Sequence, residues 1–127
     1  MNYTIQKLAK MTGTTVRTLH FYDEIGLLKP ASIGENGYRY YEQAQLVRLQ
    51  QILFFKELDF DLKQIQEVFN DPHFDHTITL QNQKKLLLKK MVHQKRMIKS
   101  IETSLKQIEK AKTMTSTEMI QEVKESL

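Results

Sequence analysis

Apolar positions in the first 70 residues recur at helical spacing in four short runs, each bounded by capping or turn residues. Ile5, Leu8, Ala9 and Thr12 follow Thr4, a good N-cap, and Gly13 ends the run. Thr15 then caps a second helix in which Val16, Leu19 and Tyr22 or Asp23 repeat every three residues. Two short helices across a tight turn need a small residue where they cross, a glycine in the turn and apolar residues that seat the second helix. Ala9, Gly13, Val16 and Leu19 meet those needs, so the pattern predicts a helix-turn-helix.

Ala31-Ser32-Ile33 and Tyr38-Arg39-Tyr40-Tyr41 flank Gly34-Glu35-Asn36-Gly37, and Asn-Gly between β-prone residues predicts a hairpin. A hairpin after a helix-turn-helix is a wing. Further helices are predicted at about 42–57 and 62–70, with Asp61 as N-cap of the later one and Asn70-Asp71-Pro72 as its stop.

From Asp75 or Thr77 to about Lys112 there is neither proline nor glycine, and straight-chain helix formers dominate. A helix of that length spans roughly 50 Å and cannot stand alone. Its heptad frame puts Leu80, Leu87, Gln94, Ile101 and Ile108 at d, and Lys84, Met91, Ile98, Leu105 and Lys112 at a. That is a coiled-coil seam, and the partner expected is a second copy of the chain. Dimerisation is therefore assigned to Leu80, Leu87, Met91, Ile98, Ile101, Leu105 and Ile108. Residues 113–127 read as a Thr/Ser linker followed by a short amphipathic piece.

The expected organisation is a winged helix-turn-helix over 1–75, a coiled-coil helix over 76–112 and a tail over 113–127. The fold class is all-α with a small β-hairpin wing. Charge is uneven across these segments: 8 basic and 10 acidic residues in 1–75, 10 and 2 in 76–112, and 1 and 3 in 113–127. Charge alone would place nucleic acid on the long helix. With no cysteine in 127 residues, disulfides, thiolate metal sites and cysteine nucleophiles are excluded. No apolar run suggests a membrane span and no signal peptide is evident, so a cytoplasmic protein without a membrane partner is expected.

On the second helix, Val16 and Leu19 turn inward, leaving Thr15, Arg17, Thr18 and Phe21 at the outer, N-terminal end. Arginine suits bidentate contact with guanine or phosphate, threonine hydroxyls suit phosphate oxygens, and an aromatic ring packs on sugars or a thymine methyl. In the wing, Tyr38 and Tyr40 lie on one side of the strand with Arg39 and Tyr41 on the other, so one face packs inward while the other reaches a backbone or groove.

The run Val16-Arg17-Thr18-Leu19-His20-Phe21-Tyr22-Asp23-Glu24-Ile25-Gly26-Leu27-Leu28, followed by Asn36-Gly37-Tyr38-Arg39-Tyr40-Tyr41, resembles the N-terminal signature of the mercury-resistance-regulator (MerR) family of bacterial transcription factors. Leu49 to Leu58 and the long helix extend the resemblance over about residues 3–112. Within the family the chain is similar to the multidrug-transporter-activation and thiostrepton-induced-protein branch. Met114-Thr115-Ser116-Thr117-Glu118-Met119 is similar to the opening of that branch's drug-binding domain, which is expected to be missing here.

The resemblance implies a second wing at about Lys56–Asp61 and an antiparallel coiled-coil homodimer. It also implies binding to pseudo-palindromic promoters with a long spacer, which an activator bends and untwists for RNA polymerase holoenzyme. By motif match, Arg17, Thr18 and Tyr22 belong to the recognition helix, Tyr38, Arg39 and Tyr41 to the first wing, and Lys56 to the second. Phe21 stands where the family often has tyrosine or histidine. The basic block becomes surface of the dimer helix.

The family's metal and redox sensors use cysteines near the end of that helix, which this chain lacks. It reads as a DNA-binding and dimerisation fragment or as a short regulator, one that as a fragment activates without ligand. Asp71, His73, Asp75 and His76 resemble metal ligands only loosely, and capping of the dimer helix explains them more simply, so neither metal nor cofactor is expected. No catalytic constellation is present and no enzyme is expected. The alternatives are a dimeric coiled-coil adaptor, or a nonspecific nucleic-acid or membrane-surface binder using Lys84, Lys85, Lys89, Lys90, Lys95 and Arg96.

Overall fold

The computed structural model describes residues 2–127, apart from the side chains of residues 114–116. The comparison of Met114-Thr115-Ser116 with a drug-binding domain therefore lies outside the described side chains. In chain order the elements are β1 (Tyr3–Thr4), α1 (Ile5–Thr12), α2 (Val16–Glu24), β2 (Ser32–Ile33), β3 (Arg39–Tyr41), α3 (Gln43–Glu57), α4 (Leu62–Asn70) and α5 (His76–Ser126).

The caps explain the boundaries. Thr4 accepts from the Lys7 amide, and Gly13 closes α1 at φ 70°, where its lack of Cβ avoids a clash. Thr15 accepts from the Thr18 amide at the start of α2. Asp61 and Gln64 form a reciprocal capping box on α4. Between α3 and α4 the chain turns through Asp59 at φ 64°, the only non-glycine residue with positive φ among those described.

The chain forms two compact units, 1–85 and 86–127. In the first, Leu8, Leu19, Leu27, Leu28, Leu49, Ile52 and Ile65 are fully buried. Phe60, Phe55, Phe69, Phe74 and His76 form a relay of ring contacts with centroid separations of 4.7–6.3 Å. The Arg48 guanidinium lies 4.0 Å over the Phe69 ring while its Nε donates to the Leu27 carbonyl at 2.8 Å. Burial lowers the Arg48 pKa. Gln83 of α5 donates to the Gln51 carbonyl at 3.1 Å, and both side chains are buried. That contact explains why the first turns of α5 belong with the first unit.

The small sheet has order β1-β3-β2, all antiparallel, with Tyr3 opposite Tyr41 and Ser32 opposite Tyr40. Strand β1 was not predicted, because two residues carry no periodicity and their pairing is with a strand almost 40 positions away. The hairpin is where Asn-Gly places it, but Asn36-Gly37 ends a longer loop: the Gly34 amide donates to the Tyr38 carbonyl and the Gly37 amide to Gly34.

In the second unit α5 continues to Ser126, where a linker was expected over the Thr/Ser stretch. Thr113 and Thr117 sit within the helix with their hydroxyls donating to the carbonyls four residues earlier, which satisfies the hydroxyls without breaking the helix. Neither proline nor glycine interrupts the run. Among the described residues of this unit none is fully buried, and Ile98, Ile101, Leu105 and Ile108 are 55–60 % exposed. No helix among the described residues is long and apolar enough to cross a membrane.

Candidate nucleic-acid interface

The start and outer face of α2 bring Thr15, Arg17, Thr18 and Phe21 together. Thr15 and Thr18 hydroxyls lie 2.9 Å apart at the helix start, so the cap and its neighbour present a paired oxygen edge. Arg17 is exposed, and no hydrogen bond or ion pair holds it among the described residues. Phe21 is 44 % exposed. Arg17, Thr18, His20, Phe21 and Glu24 line an open hollow of about 700 Å³ along this face.

A neighbouring cleft of about 330 Å³ runs between α2 and the wing, bounded by Thr4, Ile5, Gln6, Val16, His20, Gly37, Tyr38 and Arg39. Tyr38 stands at the wing tip, 66 % exposed, its amide donating to the Asn36 side chain at 3.0 Å. Gly37 beside it has φ 81°, a backbone that a side chain would strain. Lys56, exposed in the last turn of α3, has its Nζ 3.5 Å from the Tyr22 hydroxyl, which ties the end of α3 to α2.

Three of the residues expected at the DNA face are placed differently. Tyr22 and Tyr41 are 1 % and 0 % exposed, so both sit in the core of the unit and not on its outer face. The Tyr41 hydroxyl has no hydrogen-bond partner among the described residues; burial, and secondarily the charge of Asp23, raises its pKa. Arg39 shares the inward face of β3 with Tyr41, and its Nε donates to the Asp23 carboxylate at 2.8 Å. Lys29 pairs with the other Asp23 oxygen at 3.1 Å. Burial pushes the Asp23 carboxyl up, but these bonds and charges outweigh it and leave its pKa below the ordinary aspartate value.

Asp23, Lys29 and His20 were not singled out from the sequence. Asp23 did leave a signal: it sits in the last turn of α2, which has no basic residue, where the helix dipole disfavours an anion unless a cation is supplied from elsewhere.

Of the acidic and histidine residues at 71–76, the two aspartates hold backbone amides and His76 meets a side chain of α3. Asp71 accepts from the His73 amide at 2.8 Å and Asp75 from the Ile78 amide at 2.9 Å, while His76 Nδ1 lies 2.8 Å from Gln51 Oε1. No group of three metal-ligating side chains converges among the described residues.

Comparison with known proteins agrees with this geometry. Residues 3–71 match the model of the MerR HTH family regulatory proteins. The transcriptional activator mta of Bacillus subtilis is 42 % identical over 119 residues, 94 % of this chain and 46 % of the relative. The crystal structure of MtaN, the N-terminus of the multidrug transporter activator from that organism, is 46 % identical, with TM-score 0.55, covering 81 % of this chain and 97 % of that one. SkgA from Caulobacter crescentus aligns at TM-score 0.76 and 42 % identity over 83 % of this chain and 76 % of that one. HiNmlR, a MerR family regulator lacking the sensor domain and solved bound to promoter DNA, aligns at TM-score 0.62 and 29 % identity over 77 % and 79 %.

The chain spans about half the length of the curated relatives it matches. The family is one of regulators, not enzymes. A helix-turn-helix with a wing, a long C-terminal helix and matches over most of its length make this chain a member of the MerR family of DNA-binding transcriptional regulators.

Proposed function

We propose that the protein binds a pseudo-palindromic promoter as a homodimer and activates transcription by distorting a long spacer for RNA polymerase holoenzyme. The observation that carries this reading is the exposed, unpaired Arg17 beside the Thr15–Thr18 pair on α2, with exposed Tyr38 across the cleft. Residues 1–75 supply the winged helix-turn-helix. Thr15, Arg17, Thr18 and Phe21 enter a major groove, Tyr38 reaches the backbone from the first wing and Lys56 from the second. Tyr22 and Tyr41 hold these elements from behind.

Residues 76–112 supply the dimer helix. Leu80, Leu87, Met91, Ile98, Ile101, Leu105 and Ile108 share its seam, and the exposure of Ile98 to Ile108 in a single chain supports burial against a second copy. Two-fold symmetry of the protein then requires an inverted repeat in the DNA.

Selection of duplexes from a random library by the full chain, at near-physiological salt, tests the reading. Enrichment of an inverted repeat at fixed spacing is expected. Binding without enrichment that vanishes as salt rises would overturn it in favour of nonspecific contact through the basic helix.

A further inference from the structure

The most complete ion-pair arrangement in the first unit joins the two elements that would read DNA. Both oxygens of Asp23, in the last turn of the recognition helix, are taken: one by Arg39 Nε at 2.8 Å, the other by Lys29 Nζ at 3.1 Å. The Asp23 side chain is only 13 % exposed, whereas Lys29 is 65 % exposed. Arg39 opens β3, the central strand of the sheet, and is paired in register with Ile33 of the other wing strand. The loop of the wing therefore projects directly from the anchored residue. Two positions on, Tyr41 is buried on the same face of the strand, so this face is committed to the body of the domain.

We infer that Asp23, Arg39 and Lys29 form a clasp that fixes the separation between recognition helix and wing, and that Arg39 acts on DNA through Asp23 instead of by neutralising a phosphate. The inference rests on the DNA-binding reading above. Arg39 is then a positioning residue, and the wing's own contact falls to Tyr38 at its tip. Asp23 becomes necessary to binding even though it is an anion close to a polyanionic ligand. Free electrostatics gives the opposite sign: an exposed carboxylate near DNA weakens binding, and its removal strengthens it.

The test uses the full chain and the duplex chosen by library selection, with Kd measured across salt concentrations for Asp23→Asn, Arg39→Gln and the double variant. Each single change is expected to weaken binding about tenfold, and the double no further than either alone, because the two residues act as one unit. The slope of log Kd against log salt stays that of the wild type for Arg39→Gln. A slope shallower by about 1.8 for that variant, as loss of one phosphate contact from each protomer of the dimer requires, overturns the inference. So does Asp23→Asn binding as tightly as the wild type or tighter.

A second measurement needs no DNA and separates failure of the clasp from failure of the DNA-binding reading. Amide hydrogen exchange at residues 33–38 is expected to quicken in Asp23→Asn and Arg39→Gln while the Leu49 and Ile52 amides keep their protection. Unchanged exchange in the wing overturns the clasp whether or not the wild type binds a specific duplex. Quickened exchange in a protein that enriches no sequence leaves the clasp standing and removes the promoter reading alone.

Discussion

Residues 1–85 and 86–127 answer the same physical problem in opposite ways. The first unit buries its apolar residues against each other: seven aliphatic side chains from α1, α2, the loop after α2, α3 and α4 have no exposure. The second is one helix whose apolar stripe stays open to water, with Ile101 and Leu105 near 60 % exposed. A buried core stabilises its unit with no outside help, whereas an amphipathic helix needs a surface to cover its stripe. On the dimeric reading proposed above, the contrast teaches that stability and assembly are encoded separately, and changes in the two units should be distinguishable.

The strongest way to sharpen that contrast is Ile101→Lys, a charge at the middle of the seam. Sedimentation is expected to show a monomer, and operator binding to fall by more than about 100-fold because each half-site is then held alone. The first unit should keep its helical signal. Next comes the core itself: Leu49→Ala is expected to destabilise the domain by about 2–5 kcal/mol, read by thermal or urea unfolding, through lost burial and a residual cavity. Loss of the dimer at a protein concentration where the first unit remains folded would contradict the separation for this variant.

Arg17→Ala lies on neither core nor seam. It is expected to weaken specific binding by about 1–3 kcal/mol, seen in a titration against the selected duplex, with oligomeric state and unfolding midpoint unchanged. An acid titration gives a smaller effect. The pKa of Asp23 is lowered in the folded chain, so its pairing contributes stability above the ordinary aspartate value, and that contribution is lost as pH falls through the lower folded value. Unfolding measured between about pH 5 and 2 should therefore decline less steeply in Asp23→Asn than in the wild type. The smallest expected change is a gain: Asp59→Gly relieves a positive-φ backbone between α3 and α4 and should add about 0.5–1 kcal/mol.

Much of the architecture was legible in the order of residues. Thr4, Thr15 and Asp61 cap the helices they were expected to cap, and Gly13 takes the left-handed turn between α1 and α2. These are interactions within a few positions of one another, and side-chain type alone decides them. The end of α5 was less legible, because threonine propensity is a weak guide when the hydroxyl bonds back into its own helix.

The candidate site divides along the same line. Arg17, Thr18 and Phe21 lie on the outer face of α2 because the helical period, once Leu19 is buried, leaves them no other place. Strand alternation also placed Arg39 with Tyr41 correctly, but could not say which face of the strand was the inner one. That choice depended on β1, Asp23 and the leucines after α2 arriving together from separate parts of the chain. Local propensity and periodicity are properties of neighbours in sequence; burial of Tyr22 and Tyr41 and the pairing of Arg39 with Asp23 exist only once distant segments exclude water together. The sequence by itself determined the elements, their caps and the stripe on α5, and tertiary packing alone decided which side chains of those elements remain free to meet another molecule.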